Sequence, residues 1–382
     1  MPCKLFICHQ LVSMYSYWQK TLFDQNWDVL IIGAGFSGLN TAIDCIEREP
    51  KMKVLVVDPA MGQHSASVRN AGFACFGSLS EFLHDVDLMG QERAASLLRQ
   101  RNLGVAKIAH FCKGEQNVFR QCVAHEVFMP GNRAIWEKCM AQIDKVNSLL
   151  REIGLNGQTY TISANTQVEN AIGSIHIKGE GQINPERLHH MLWQKASALG
   201  VQFLFDKASN IESGDKPVVH LSSGVELKSR YVVNAVNGFD ESLHAHSSVK
   251  PARAQVLITS EVEDMPYEGN YHMDEGFYYF RNVGKRLLLG GGRNLDIDGE
   301  TTTELLLSEP IQQHLMNLIR NELLPGREVS IEHQWSGIMG MRADKHPQLE
   351  TDGNCLSLAG MSGMGVALSF VLSEEAANRI CK

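Results

Sequence analysis

Residues 27–58 read WDVLIIGAGFSGLNTAIDCIEREPKMKVLVVD, and this stretch decides the fold. The apolar run 29–32 predicts a buried strand. It ends in Gly33-x-Gly35-x-x-Gly38, after which a helical pattern runs to about Arg48. A second apolar strand, 53–57, closes at Asp58. Strand, glycine turn, helix and strand in this order form a dinucleotide-binding unit. Gly33 allows the tight turn, Gly35 lets the backbone approach a pyrophosphate, and Gly38 lets the helix pack on the strand. The helix N-terminus offers free N–H groups and a positive dipole end to the anion. A carboxylate at Asp58 stands where it can accept from both ribose hydroxyls. Ala34, Phe36, Ser37 and Pro59 belong to the same expected contact surface.

The chain has 382 residues, enough for two domains or one large one. A net charge of −8 and the lack of a long basic run give no support to nucleic-acid binding. No apolar stretch is long enough to span a bilayer. Nine cysteines, an odd number without a C-x-x-C pair, point to reduced thiols in a cytoplasm rather than a disulfide frame or zinc site. The histidines show no ligand spacing either; His189 and His190 are adjacent and cannot share a helix face, and no metal is expected. Residues 4–12 are partly apolar, but Cys8, His9 and Gln10 interrupt a signal-peptide core and no small-residue cleavage site follows. Residues 14–23 predict a short aromatic helix within an N-terminal extension (1–26), with Met14 as an alternative start.

Beyond Asp58 the chain does not continue with the strand–helix repeats of an NAD dehydrogenase. It enters residues 62–73, GQHSASVRNAGF, a small and polar run with one arginine. Small residues allow a flat ring system to come close, and backbone N–H groups can face its polar edge. With this S-x-R-N-A-G loop, the N-terminal motif resembles the D-amino-acid oxidase (glycine oxidase/sarcosine oxidase) superfamily of FAD enzymes. The R-N-A-G form is similar to the loop of gamma-glutamylputrescine oxidase-like members. The resemblance implies that Ser65, Ala66, Ser67, Arg69, Asn70, Ala71 and Gly72 contact the isoalloxazine, with Arg69 raising its potential.

Downstream, residues 79–113 and 134–153 predict amphipathic helices, and 118–128 and 158–178 predict strands and turns. This block is expected to cap the flavin. Residues 181–185 (GQINP), a helix over 186–199 and a strand at 201–205 follow the family order, in which the strand clamps the adenine near Ala208. Residues 216–228 predict a hairpin, and 231–236 a buried strand ending in Asn237 and Gly238, the expected cofactor turn. A long strand (249–261), a strand pair (277–281 and 286–291), a helix over 301–324 restarted by Pro310, and a strand at 329–335 make the expected substrate domain. Residues 335–340 (WSGIMG) and 344–349 (DKHPQL) are similar to the family's W-x-G and D-x-x-P-x-(I/L) patterns. A strand at 355–359, the turn GMSGMG at 360–365 and a final helix to 380 form a second glycine corner. Gly337, Gly363, Met364, Gly365 and Val366 are thereby implied at the flavin, the helix dipole favouring its reduced form.

The resemblance implies an α/β fold: an FAD-binding Rossmann-like (glutathione-reductase-type) domain with an inserted mixed-sheet α+β substrate domain. The expected FAD-binding segments are 27–84, 179–249 and 334–382, and the substrate segments 85–178 and 250–333. The expected function is FAD-dependent oxidation of a C–N bond in a small amine or amino-acid derivative, with oxygen or a carrier as electron acceptor. A dehydrogenase serving a quinone or carrier, a non-catalytic FAD-binding sensor and an NAD-binding protein are the alternatives. Tyr279 and Arg281 share a strand face with Phe277 and are the expected catalytic and substrate contacts, against the reading of an ordinary aromatic strand with a solvated arginine. His272, Lys345 and His346 are further polar groups near the ring, each with a surface or satisfied-core role as the stronger reading. Amino-acid-oxidising relatives often carry an arginine just after W-x-G; Ile338 and Met339 stand there, which shifts the expected substrate towards an amine or modified amine. Leu288 stands where sarcosine-oxidase-like relatives place a lysine, which speaks against a fast reaction with oxygen; relatives with a histidine-linked flavin carry that histidine near the position of Arg69, none is found there, and the FAD is expected to be non-covalent.

Overall fold

The computed structural model describes residues 15–23, 25–163, 166–243 and 247–382. The expectations on residues 4–12 and on Met14 lie outside the described residues.

The run at 29–32 is apolar without alternation because both of its faces are covered. Val29 and Ile31 pack into one core, Leu30 and Ile32 into another, and all four are at most 3% exposed. Burial of each such side chain stabilises by about 1.5–3 kcal/mol. The strand Trp27–Ile32 is the middle of five parallel strands in the order Gln202–Leu204, Val54–Val57, Trp27–Ile32, Glu226–Asn234, Cys355–Ala359. The helices Phe36–Arg48, Pro185–Ala198 and Gly365–Ile380 cover one face. On the other side the strands Ala208–Glu212 and Val218–Leu221 extend antiparallel from the first half of Glu226–Asn234. The expected hairpin arm and buried strand are therefore one strand that changes partners midway: Lys228 pairs with Val218, while Val232 pairs with Cys355.

The second large sheet is mixed. Its order is Ile331–Met341, Lys250–Thr259, Arg286–Gly291, Tyr278–Val283, Asn270–Met273, Ala124–Phe128, Gly173–Ile177, Tyr160–Ser163. One face packs on the helix Glu309–Leu318 through Leu257, Phe280, Leu287, Leu289, Ile311 and Leu315. The other face looks towards the parallel sheet. Both sheets thus draw on early, middle and late parts of the chain.

Several boundaries differ from the sequence reading. Residues 118–128 split into Phe119–Gln121 and Ala124–Phe128, which join different sheets. The helix expected from 301 begins at Glu309, because Pro310 fits only the first turn and the Thr-rich segment before it runs as a loop. It ends in a π-helical turn, Ile319–Leu323. The helix Gln91–Phe111, expected in the cap, packs on Gly365–Ile380: a Cβ at Gly104 would collide with the Ala367 carbonyl. Asn270–Met273, Gln348–Asp352 and Gly181–Ile183 are strands that the sequence reading did not separate out.

Candidate active site

All five parallel strands end at one cavity of about 780 Å³, within the usual range for a ligand pocket. Gly33 and Gly35 follow Trp27–Ile32, Asp58 and Pro59 follow Val54–Val57, and Ala235 to Asn237 follow Glu226–Asn234. Lys207 and Ala208 approach from beyond Gln202–Leu204, and Met361 to Val366 from beyond Cys355–Ala359. This is where ligands bind in open parallel sheets. Two helix N-termini, at Phe36–Ser37 and at Gly365–Val366, open onto the same space.

The glycine turn is held by close approach. Gly33 has φ 105°, and a Cβ there would stand 2.8 Å from the Ala235 carbonyl oxygen. A Cβ at Gly38 would strike the Gly33 carbonyl, so this residue serves helix packing and does not line the cavity. Asp58 Oδ2 accepts from Ala34 N (2.9 Å), and Oδ1 from Ala60 N and Gly62 N (2.8 and 3.0 Å). Its carboxylate therefore braces the turn as well as facing the cavity. Ala34 itself faces away, its carbonyl 2.7 Å from His189 Nε2.

The loop after Asp58 is pinned from three sides. Ala66–Arg69 forms a single helical turn. Ser67 Oγ accepts from Phe36 N at 2.8 Å. Asn70 Nδ2 donates to the carbonyls of Ala66 and Ser67, and its Oδ1 accepts from Gly72 N at 2.8 Å. Arg69 Nε donates to Ser336 O (2.6 Å), and Trp335 Nε1 donates to Arg69 O (2.9 Å). Gly337 then lies so close that its Cβ would be 3.3 Å from that of Arg69. Ser65, Ala66, Ser67, Arg69, Asn70, Ala71, Ala208, Asn237, Gly337, Gly363, Met364, Gly365 and Val366 all line the cavity. Gly72 and Gly238 stand behind it, against Arg281 and the Met339 carbonyl.

The rest of the cavity is walled by side chains. Tyr278, Tyr279 and Phe280 alternate across their strand, so Tyr278 and Phe280 enter the core and Tyr279 faces the cavity. Burial pushes the Tyr279 hydroxyl up to about 12. Phe73 sits edge-on to Tyr279 and His272, with ring centres 5.5 and 5.6 Å apart. Burial disfavours charge on His272, yet Glu180, 3.0 Å from its Nε2 and backed by Glu81 and Glu126, outweighs it and holds the pKa above the ordinary histidine value. Lys345 lines the cavity and pairs with Asp85 at 2.8 Å; Asp85 and Glu81 flank buried Arg101 at 3.4 Å each. His346 is exposed and apart from the cavity.

Arg281 is placed differently from the expectation. It continues the face of Tyr279 but lies beyond the cavity, 7% exposed, with Nη2 donating to Ile183 O at 3.1 Å. Burial pushes its guanidinium down to about 10. It underlies Gly72 and supports the loop from behind. The sequence reading also missed Phe73, Cys75, Glu81, Glu275, Arg293 and Thr303, all of which line the cavity. Only Phe73 and Cys75 carried a signal, by following the R-N-A-G loop directly. Asn237, Glu275, Lys345 and Ser362, all at the cavity, hold positive φ of 48–52°, a conformation that non-glycine residues adopt at a cost. Among the described residues no His/Cys/Asp/Glu group is placed to hold a metal ion, and no helix is long and apolar enough to cross a membrane.

Two glycine corners at the ends of a parallel sheet, joined to an aromatic chamber on a second sheet, define a dinucleotide-dependent oxidoreductase. The chain matches the family described as DAO, FAD dependent oxidoreductase, over residues 28–379, and belongs to that family. Its fold is shared with L-proline dehydrogenase from P. horikoshii (TM-score 0.74, 14% identity, 93% of each chain covered). It is also similar to L-amino acid deaminase from Proteus vulgaris (0.73, 17%, 92% of this chain and 93% of that one). A third similar structure is glycine oxidase from Geobacillus kaustophilus (0.71, 18%, 93% and 95%). No curated protein matches by sequence. The glycines whose missing side chains leave room for a pyrophosphate, and the two helix N-termini, fit FAD.

Proposed function

We propose that the protein oxidises the C–N bond of a small amine or amino-acid derivative, giving an imine that hydrolyses. The observation that carries this reading is the joining, in one cavity, of the two glycine corners with a chamber walled by Phe73, Phe277 and Tyr279. The three similar structures above are each named for action on an amino acid, which supports the substrate class.

When bound, FAD supplies the acceptor for the electron pair that leaves the substrate carbon. Gly33, Gly35, Phe36, Ser37, Asp58 and Pro59 would hold its adenosine diphosphate end, with Ala208 at the adenine. Ser65 to Ala71, Asn237, Gly337 and Gly363 to Val366 would hold the ring, non-covalently, since no histidine adjoins Arg69. Cys75 is a poor candidate for a covalent link, because burial pushes its thiol well above the ordinary range. Tyr279 orients the substrate with its ring face, and its hydroxyl stays protonated at neutral pH. An amine that arrives neutral needs no strong base, so the chamber acts by alignment and by excluding water. Deuterium at the carbon bearing nitrogen should slow flavin bleaching several-fold, with a carbonyl product found by mass spectrometry. Bleaching without that product would count against C–N oxidation.

A carrier or quinone acceptor is favoured over oxygen by one residue. Leu288, at the position where sarcosine-oxidase-like relatives place a lysine, is 5% exposed and does not line the cavity. Stoichiometric hydrogen peroxide during turnover would reverse this preference.

A further inference from the structure

We propose that His272 takes the proton from the substrate ammonium, and that Glu180 is the positioning residue that makes it a strong enough base to do so. This deepens the amine-oxidising reading and rests on it. An alkyl amine is mostly an ammonium ion in neutral water. Its carbon can give up the C–H electron pair only once nitrogen has a lone pair with which to form the C=N bond. An amine that arrives charged must therefore lose one proton in the chamber. That proton passes from nitrogen to His272 Nδ1, the C–H electron pair then leaves to the flavin as hydride, and the product is a protonated imine.

His272 lines the cavity and stands directly across from Tyr279 on the neighbouring strand, with Phe73 edge-on to both rings. It thus belongs to the wall that orients the substrate. Its Nε2 lies 3.0 Å from Glu180 Oε2, and among the described residues its Nδ1 makes no hydrogen bond. The carboxylate holds the ring proton on Nε2 and so leaves the lone pair on Nδ1. Glu180 is fully buried. Its Oε2 also accepts from Asn270 Nδ2 at 3.2 Å, while its Oε1 has no hydrogen-bond partner among the described residues. A buried carboxylate bonded so sparsely is costly unless a cation forms beside it. The imidazolium made by proton uptake is that cation.

The charges on the surrounding elements act mostly in the same direction. Glu126, paired with His272 across the strands, and Glu81, in the first turn of the helix Leu79–Met89, join Glu180 in raising the histidine above 6.5 against the effect of burial. Glu126 is held by Ser78 Oγ at 2.9 Å, and Glu81 by Arg101 at 3.4 Å. His125, next to Glu126 on its strand, opposes them. Tyr279 and Cys75 stay protonated, because burial pushes both up. A histidine so placed holds a proton more firmly than a free imidazole and releases it again near neutral pH, as a general base requires.

The test follows two readouts across pH in the FAD-loaded protein. One is the NMR signal of His272 in protein labelled at histidine Cε1, assigned by its loss in His272→Asn. The other is anaerobic flavin bleaching by the fastest-reacting member of a panel of amines and amino acids. In the wild type the bleaching rate should rise with pH through the same midpoint as the NMR signal. Glu180→Gln should lower both midpoints together by about one pH unit or more. His272→Asn should keep its flavin and bleach about 100-fold more slowly near neutral pH. Glu180→Gln keeps the proposal testable if His272→Asn fails to fold. A bleaching midpoint that stays put in Glu180→Gln, or a His272→Asn rate within about 3-fold of wild type, would overturn the proposal alone. A wild type that no member of the panel bleaches would overturn the amine-oxidising reading as well.

Discussion

The dinucleotide side of the cavity is made mostly of backbone, and the chamber side mostly of side chains. Gly33, Gly35, the 65–71 loop and the 360–365 turn offer the cavity N–H groups, close approach and helix ends, and each comes from one short stretch. The chamber takes Phe73, Glu81, His272, Tyr279, Arg293 and Lys345 from six separate stretches. A backbone site demands particular residue types at fixed short spacing, whereas a side-chain site demands only that distant strands converge. Substitutions should therefore damage the two halves in different ways.

The largest effect should come from Gly33→Ala. Left-handed strain and a close approach to the Ala235 carbonyl act together on one residue, so FAD retention should fall about 100-fold or more. The flavin-to-protein absorbance ratio of the purified variant checks this. Tyr279→Ala should leave that ratio unchanged and lower kcat/KM by about 10- to 100-fold through lost alignment. Tyr279→Phe keeps the ring and should cost less than about 5-fold, since the hydroxyl has no hydrogen-bond partner among the described residues. If either substitution released flavin, the division between the halves would blur.

Arg281→Met probes the boundary. The side chain is buried beyond the cavity without an acidic partner, so an apolar replacement of similar length should change stability by no more than about 1 kcal/mol. Substrate kinetics should stay within about 3-fold, because no substrate contact is removed. A large fall in kcat with normal flavin content would restore the substrate contact read from the sequence. The smallest effect concerns the far side of the second sheet. His125 stacks on Tyr271 at 4.7 Å, and burial, with His176 and His272 nearby, pushes its pKa down to about 4. The unfolded chain then binds this proton before the folded one. Stability from this site is complete above pH 6.5 and is lost as the pH falls towards 4. His125→Phe keeps the stack and should flatten that part of the Tm–pH curve.

This contrast also explains what was legible in the sequence. Residues 27–58 and 355–380 combine an apolar run, a glycine turn and a helical period, and both corners were placed from those signals. Asn270–Met273 (NYHM) is four residues long, mixes polar with aromatic, and is fixed by its partners Ala124–Val127 and Tyr278–Arg281 rather than by its own pattern. His272 could not be assigned before that pairing was known. Arg293 follows three glycines and reads as part of a turn until Glu300 and Arg253 fix the loop. Arg281 shares the periodicity of Tyr279, and only the path of the 70–73 segment shows that the cavity ends between them.

The most direct test is the visible spectrum of the purified protein, recorded without oxygen as amines and amino acids are added. Flavin bands are expected, and one class of these compounds should bleach them. A protein that stays colourless after incubation with FAD, or a yellow one that none of these compounds bleaches, would contradict this reading.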